Sequence, residues 1–595
     1  MAENKALEQV NLIRCQFPVT GKSLAGLTRL ESISLSQADS LNQFPLLFTT
    51  VPNLLRLSIE GSGITDCSPV IGKMTSLTAL SITRSKLRNV PDEIGLLTAL
   101  QKLILTENQL ESLPASIARL DQLTDLELAA NQLTSLPVSL GRLRRLRMLS
   151  IARNKVTALP DELGQCRQLT ELNASGNPLT YLPETIGNLD SLRTLNLTMT
   201  RLRSLPSTVG KLKQLRGLNL TGSRLSSLPE SLGNCQNLTS LEIGDSTLTS
   251  LPASIARLSK LSVLTLAMPQ LRALPTGITS LTGLKMMRLN VPQLVLLPDE
   301  LGNLTNLTWL SVASSRLMGL PTSIGRLKQL TSLAIDGKVE PITNKPLGVL
   351  EFLPDSLVRC DKLTELMITN QIAFDGVDAI RKTARMTTLN SLRLDRCGMD
   401  RLTDIDWKTV QFWNLSLQQN SLRDVPESIL DAPNLQSVNL QYNYPLPRAL
   451  NQSFWGKEAL KTAFVEAQLA TNPVPVNKPD ARVMQAYLNA GMRQMQQRNW
   501  GEVFANMEKA ILAAPDTLKA MPLAQRAELY MMRKEFALAA TDYEMAITAA
   551  PKLSKRQMGM NSEMAQTMMV SQWRGRLGTA RSALGQYDKA LSDLN

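Results

Sequence analysis

Hydrophobic positions recur along this chain with one fixed spacing over nearly half its length. From Leu54 the same 23-residue pattern starts at 54, 77, 100, 123, 146, 169, 192, 215, 238, 261, 284 and 307, with a thirteenth start at 330. In the copy Leu100–Gln122, LQKLILTENQLESLPASIARLDQ, positions one, four, six and eleven are Leu100, Leu103, Leu105 and Leu110. Alternation through Leu103 and Leu105 predicts a short strand with one buried face. Leu113-Pro114 ends that strand and turns the chain, because proline has no N–H to give a ladder. Ile117 and Leu120, three apart, bury the return segment against the same core. One copy alone has nothing to bury these leucines against, so copies must stack into a solenoid.

The recurring LPxxIGxLxxL ending resembles the 23-residue class of bacterial-type leucine-rich repeat proteins, and the resemblance covers about three quarters of the chain. It implies an α/β solenoid, a horseshoe with parallel strands on its concave face. It also implies that the ninth residue of each copy is an asparagine bonded to the backbone of the adjacent turn. Asn108, Asn131, Asn154 and Asn177 obey; Thr200, Ser223, Ser246 and Ser315 are shorter; Pro269 and Pro292 have no such group. The ladder is therefore expected to be less regular in the second half.

Outside the regular copies, residues 1–53 hold one irregular unit (Leu27, Leu30, Ile33, Leu35) behind a helix-like start, Ala6 to Arg14, together an expected N-terminal cap. The solenoid is assigned to 54–446. After Ile335 the starts fall at 363, 389, 412 and 435, so an insertion of ten residues lies within about 336–349. It is either a binding loop beside the concave rim or a tolerated surface loop. Residues 447–470 read as a helical C-terminal cap through Leu450, Phe454, Leu460, Phe464 and Val465, and 471–480 as a proline-rich linker. Residues 481–595 place Gly491, Trp500, Ala510 and Pro515, then a second unit ending at Pro551, as an all-α tetratricopeptide helical-repeat domain would. A third unit, Arg574 to Asn595, resembles an incomplete copy. The Met558 to Met569 stretch reads as an apolar helix face rather than a thioether copper site.

Composition then removes most chemistry. Histidine is absent, which excludes Ser-His-Asp and Cys-His nucleophile systems and imidazole metal ligands. The six cysteines form no CxxC pair; Cys67, Cys166, Cys235, Cys360 and Cys397 fall on core positions of the repeat. No cofactor and no small-molecule substrate is expected. No run of eighteen apolar residues exists and the N-terminus lacks a cationic start followed by an apolar core, so neither a membrane span nor a secretory signal is visible. Sequons at Asn196, Asn219 and Asn303 sit inside repeats, which favours a cytoplasmic setting, with leaderless secretion as the alternative. The net charge of +13 raises nucleic acid as a partner. The basic residues are spread one or two per repeat along the return side, from Arg119 to Lys328, with few aromatics among them. That pattern favours a solvated face over a nucleic-acid track.

Binding is then expected on the strand positions that do not enter the core: the third, fifth, seventh and eighth of each copy. About eighteen strands at roughly 4.8 Å give an arc of roughly 85 Å. In copies 261, 284 and 307, Val263, Met268, Met286, Val291 and Trp309 gather on these positions beside Arg288, an apolar set of the kind that marks a protein partner. Asn173, Asn196 and Asn219 form a polar stripe, either a second surface or an inter-strand amide ladder. In the helical repeats, Arg526 and Arg576 resemble parts of the family's carboxylate clamp, while Leu488, Met492 and Gln572 stand where its other polar residues are needed. Together these features imply a non-enzymatic scaffold for one or more protein partners. The alternative is a secreted bacterial effector. A ubiquitin-ligase version would need a thiolate in its C-terminal domain, and no cysteine lies beyond Cys397.

Overall fold

The computed structural model describes residues 6–14, 26–37, 41–244, 247–471, 479–550 and 562–594. The chain divides into two compact units, Met1–Lys382 and Thr383–Asn595.

In the first unit each 23-residue copy supplies one short strand and one 3-10 turn. Neighbouring strands pair in parallel and in register at the repeat interval, so Leu103 faces Leu126 and Leu126 faces Leu149. Positions four and six are buried in every regular copy, as Leu126 and Leu128 are. Each fully buried aliphatic side chain is worth about 1.5–3 kcal/mol. Proline fixes the entry to the return segment: Pro114 is extended, and its carbonyl accepts the Ile117 N–H at 3.2 Å to start the turn Ala115–Arg119. The glycine of the IG pair is set by close approach, not by dihedral freedom. A Cβ on Gly141 would lie 2.3 Å from the Glu162 carbonyl oxygen of the next turn.

The asparagine ladder has the expected geometry. The Asn131 carboxamide donates to Leu105 O (2.8 Å) and Leu128 O (3.0 Å) and accepts from Leu110 N–H (3.0 Å), tying two copies together. Thr200 and Ser223 reach only the carbonyls of Leu197 and Leu220 in their own copies. Ser246 lies outside the described residues.

The N-terminal start is a correction. Ala6 to Arg14 reads as helix-like, yet Gln9–Ile13 is a strand paired in parallel with Ser32–Ser36. The open sheet edge offers backbone partners that an isolated turn of helix lacks, and Val10 with Leu12 already alternates at the strand period. The insertion folds as a hairpin, with Val339 bridged antiparallel to Pro346 and Gly348 bridged to Gln371. A short helix, α1 (Gly376–Thr383), lies at the unit boundary in the chain.

The second unit begins with the strands Ser391–Asp395, Asn414–Ser416 and Ser437–Asn439, and the ladder resumes at Asn420 and Asn443. The helical cap expected over 447–470 is in part a strand. Ser453–Trp455 pairs antiparallel with Ser437–Asn439, and only then does helix α2 (Lys457–Thr471) begin. Helix-period spacing of Leu450 and Phe454 concealed that three-residue reversal. Three helix pairs follow: α3 (Ala481–Gln496) with α4 (Trp500–Ala513), α5 (Ala520–Met532) with α6 (Phe536–Ala549), and α7 (Ser562–Ala583) with α8 (Tyr587–Leu594). Small residues permit the close packing. Ala510, Ala527, Ala539 and Ala546 are fully buried, and a Cβ on Gly491 would meet Met507 at 2.8 Å. The linker at 472–478 and the methionines from Met558 to Met560 fall outside the described residues.

Candidate protein-interaction surface

Register places the third-position residues of adjacent copies in one row across the strand face: Ser240, Val263, Met286, Trp309 and Ser332. Met286 is 39 % exposed, and Val263 and Trp309 are half-buried. Two residues along, Thr265, Arg288 and Ser311 form a parallel row. The Arg288 guanidinium lies 5.0 Å from the Trp309 ring centroid, a cation–π contact between neighbouring strands. Arg288 is exposed and takes part in no ion pair among the described residues.

Met268 and Val291 are not on this surface. Both are fully buried. The expectation fails because the eighth position takes two different backbone states. In the asparagine-bearing copies Glu107, Ala130 and Arg153 are left-handed, with φ near 56°, and the kink points residue nine into the core. Met268 and Val291 are not left-handed, and Pro269 and Pro292 follow them. The chain there keeps alternating, so residue eight goes inward after residues four and six. Ser314 does the same in the next copy, its hydroxyl donating to Leu294 O at 2.7 Å. The strand lengthens from three residues, as in Asp125–Glu127, to five, as in Met286–Asn290. Of the six sequence-predicted partner residues, Val263, Met286, Arg288 and Trp309 come together, and Met268 and Val291 lie in the core toward the other end of their strands.

Asn173, Asn196 and Asn219 line up across adjacent strands, but they are not an amide ladder. Each Oδ1 accepts the backbone N–H two residues on, from Ser175, Thr198 and Thr221, and so finishes its own strand. Asn219 also donates to Glu242 at 2.9 Å. Asn173 and Asn196, with Glu127, Met148, Ser150 and Glu171, line a shallow hollow of about 290 Å³ on this part of the face.

Models of leucine-rich repeats match this stretch of chain: a leucine-rich repeat region over residues 68–177 and 208–295, and a single repeat over 168–189. The solenoid is a leucine-rich repeat fold. Among solved structures, the chain is similar to a leucine-rich repeat protein of Leptospira interrogans at 27% identity, over 65% of this chain and 96% of that one, with a TM-score of 0.58. It also shares the fold of TLR13, solved as a complex with ssRNA13, at 22% identity over 70% of this chain and 62% of that one, with a TM-score of 0.56. No curated protein matches the chain.

The thiols of the leucine-rich repeats are not poised for chemistry. Cys166, Cys235 and Cys360 replace the leucine that follows the 3-10 turn, and each donates its S–H to a carbonyl of the preceding copy, those of Leu140, Val209 and Ile324. Burial pushes each of these thiols up to about 11, and Cys67 up to about 12. Arg144, Lys213 and Lys328 beside them are occupied too, donating to the backbone carbonyls of Gln165, Asn234 and Arg359. Part of the positive charge on the return side therefore buttresses the stack.

In the helical repeats the two candidate arginines are engaged within the chain. Arg526 makes a two-pronged pair with Asp542, both contacts 2.7 Å, and Arg576 pairs with Glu528 at 3.2 Å. As placed, neither presents a free guanidinium to a partner's carboxylate. Sequence reasoning passed over exposed aromatics of the second unit, Trp413, Tyr442, Tyr444 and Trp455. Only the second-position tryptophan at 413, where most other copies carry polar residues, gave a signal for them. No helix among the described residues is long and apolar enough to cross a membrane.

Proposed function

We propose that this chain is a non-enzymatic scaffold whose strand face, at the copies starting at 261, 284 and 307, docks a protein partner. The carrying observation is the row Val263, Met286, Trp309 with an unpaired Arg288 stacked beside it. A partly exposed tryptophan and methionine next to arginine form the sort of cluster that dominates protein interfaces. Its support is preformed: Leu264, Met287 and Leu310, the next residues along these strands, are fully buried, so little ordering is lost on binding. The helical pairs resemble tetratricopeptide repeats and would supply a second binding site. Two sites on one chain raise the effective concentration of one partner near the other. With Arg526 and Arg576 committed to Asp542 and Glu528, that second site fits an apolar helix or strand better than a terminal carboxylate. The scaffold would act in the cytoplasm.

The test is affinity capture from the source cells with the full chain beside Met286→Asp and Trp309→Ala, after circular dichroism has established that the variants fold. A partner retained by the parent and reduced at least tenfold by both variants supports the reading. An unchanged partner list overturns it.

A further inference from the structure

We infer that the second unit carries a separate binding site for a neutral oligosaccharide, on the open face of its last three strands between Trp413 and Trp455. The site lies wholly within that unit and shares no residue with the Met286–Trp309 row.

Strand pairing fixes which side chains meet. Asn414 faces Ser437 across parallel strands, and Ser437 faces Trp455 across the antiparallel pair, so these three form one row. Val438 and Phe454, the next pair along, are buried, which leaves the row on the opposite, solvent side of the sheet. Ser416, Asn439 and Ser453 form the row beside it. Trp413 and Gln436 stand one residue before the first row, and the Gln436 carbonyl accepts the Gly456 N–H at 2.6 Å. Trp413 is 61 % exposed and Trp455 79 %. Their backbones are two strands apart, roughly 10 Å. The reversed strand Ser453–Trp455 thus brings a second exposed indole to the face that carries the first.

What lies between the two rings selects the ligand. None of the residues just named is charged. Asn414, Gln436, Ser437 and Ser453 spend no side-chain polar atom on a bond among the described residues. At the border, Asp395 accepts from the Ser416 hydroxyl at 2.6 Å and pairs with Arg393 at 3.5 Å, and Arg396 donates to Gln419. Arg396 and Lys457 are too few cations for a phosphate track, so stacked nucleotides do not fit. A protein interface core packs aliphatic side chains, methionine or arginine around its aromatics. No such side chain is exposed on these three strands. A pyranose ring meets each condition. Its C–H face packs on the electron-rich face of an indole. Its hydroxyls both donate and accept, as the amides and serines here do. Two platforms set roughly 10 Å apart suit linked rings better than a single sugar.

The experiment titrates the full chain with cellotetraose, chitotetraose, laminaritetraose and maltotetraose, beside an oligouridine RNA, and reads binding by calorimetry. The expected result is binding of at least one tetrasaccharide and none of the RNA. Trp413→Ala and Trp455→Ala each weaken that binding at least tenfold, and Tyr181→Ala, which removes an exposed aromatic of the first unit, leaves it unchanged. Trp455→Phe keeps a ring and stays within about threefold of the parent, whereas Trp455→Leu does not. Circular dichroism matching the parent establishes that each variant folds. No tetrasaccharide binding at millimolar concentration, or binding insensitive to both tryptophans, overturns the proposal. So does equal loss in Trp455→Phe and Trp455→Leu, because apolar area alone would then explain the binding. Oligouridine binding that Trp413→Ala abolishes, or a protein captured from the source cells by the parent and lost in both alanine variants, also overturns it.

Discussion

The copies from 100 to 191 and those from 261 to 329 share one period and one set of core leucines, yet they resolve the end of the strand in opposite ways. In the first group a left-handed eighth residue throws asparagine inward, where its carboxamide satisfies the backbone of two copies. In the second group the eighth residue itself goes inward as Met268, Val291 or Ser314. The first solution is polar and bonded; the second is mostly apolar and packed. What decides between them is one local conformation. A β-branched valine or a methionine followed by proline resists the left-handed region that Ala130 and Arg153 accept. The packed solution occupies the copies whose strands, Met286–Asn290 and Trp309–Ala313, carry Met286 and Trp309.

The sharpest way to break this contrast is a charge at position eight. Val291→Asp buries an unpaired carboxylate and should cost about 3–5 kcal/mol, whereas Ala130→Asp at the same repeat position should stay within about 0.5 kcal/mol. Urea-induced shifts in the solenoid's unfolding midpoint measure both, and equal losses would refute the two-state account of this position. Next comes the ladder. Asn131→Ala strands the Leu110 N–H, while the Leu105 carbonyl keeps the Asn108 carboxamide, and should cost about 2–3 kcal/mol, against about 1 kcal/mol for Thr200→Ala, which removes one bond within a single copy. A similar cost for both would mean that the inter-copy bonds contribute little. The smallest effect is at the kink. Arg153→Gly relieves a left-handed non-glycine and should change stability by about 1 kcal/mol or less, toward greater stability. Met268→Gly should instead lose about 3 kcal/mol or more from the cavity it leaves. Thermal midpoints of the pair have opposite signs if the two backbone states differ as described.

The repeat, its strand and turn, and the boundaries of the regular copies are legible in the sequence because burial at positions four and six and the LP turn are local and redundant. The interaction row is legible only in part. Val263, Met286 and Trp309 are third-position residues, whose outward direction follows from strand alternation alone. Met268 and Val291 were misplaced because position eight obeys the backbone dihedral, which a fixed template does not carry; Pro269 and Pro292 were the available signal. The clamp arginines show another limit. Arg526 is sixteen residues from Asp542 in the chain, and a pairing across two helices leaves no periodic mark.

The reversed strand Ser453–Trp455 has a consequence for assembly. A parallel stack is translationally open: its last strand offers the same unpaired groups as every strand before it, and another molecule's first repeat would fit there as well as its own next copy. Running one three-residue strand backwards against Ser437–Asn439 ends that translation. The following edge no longer matches the parallel pattern, so head-to-tail fibre growth loses its template at this edge. Three residues of reversed direction thus break the translational repeat of the parallel ladder at this edge.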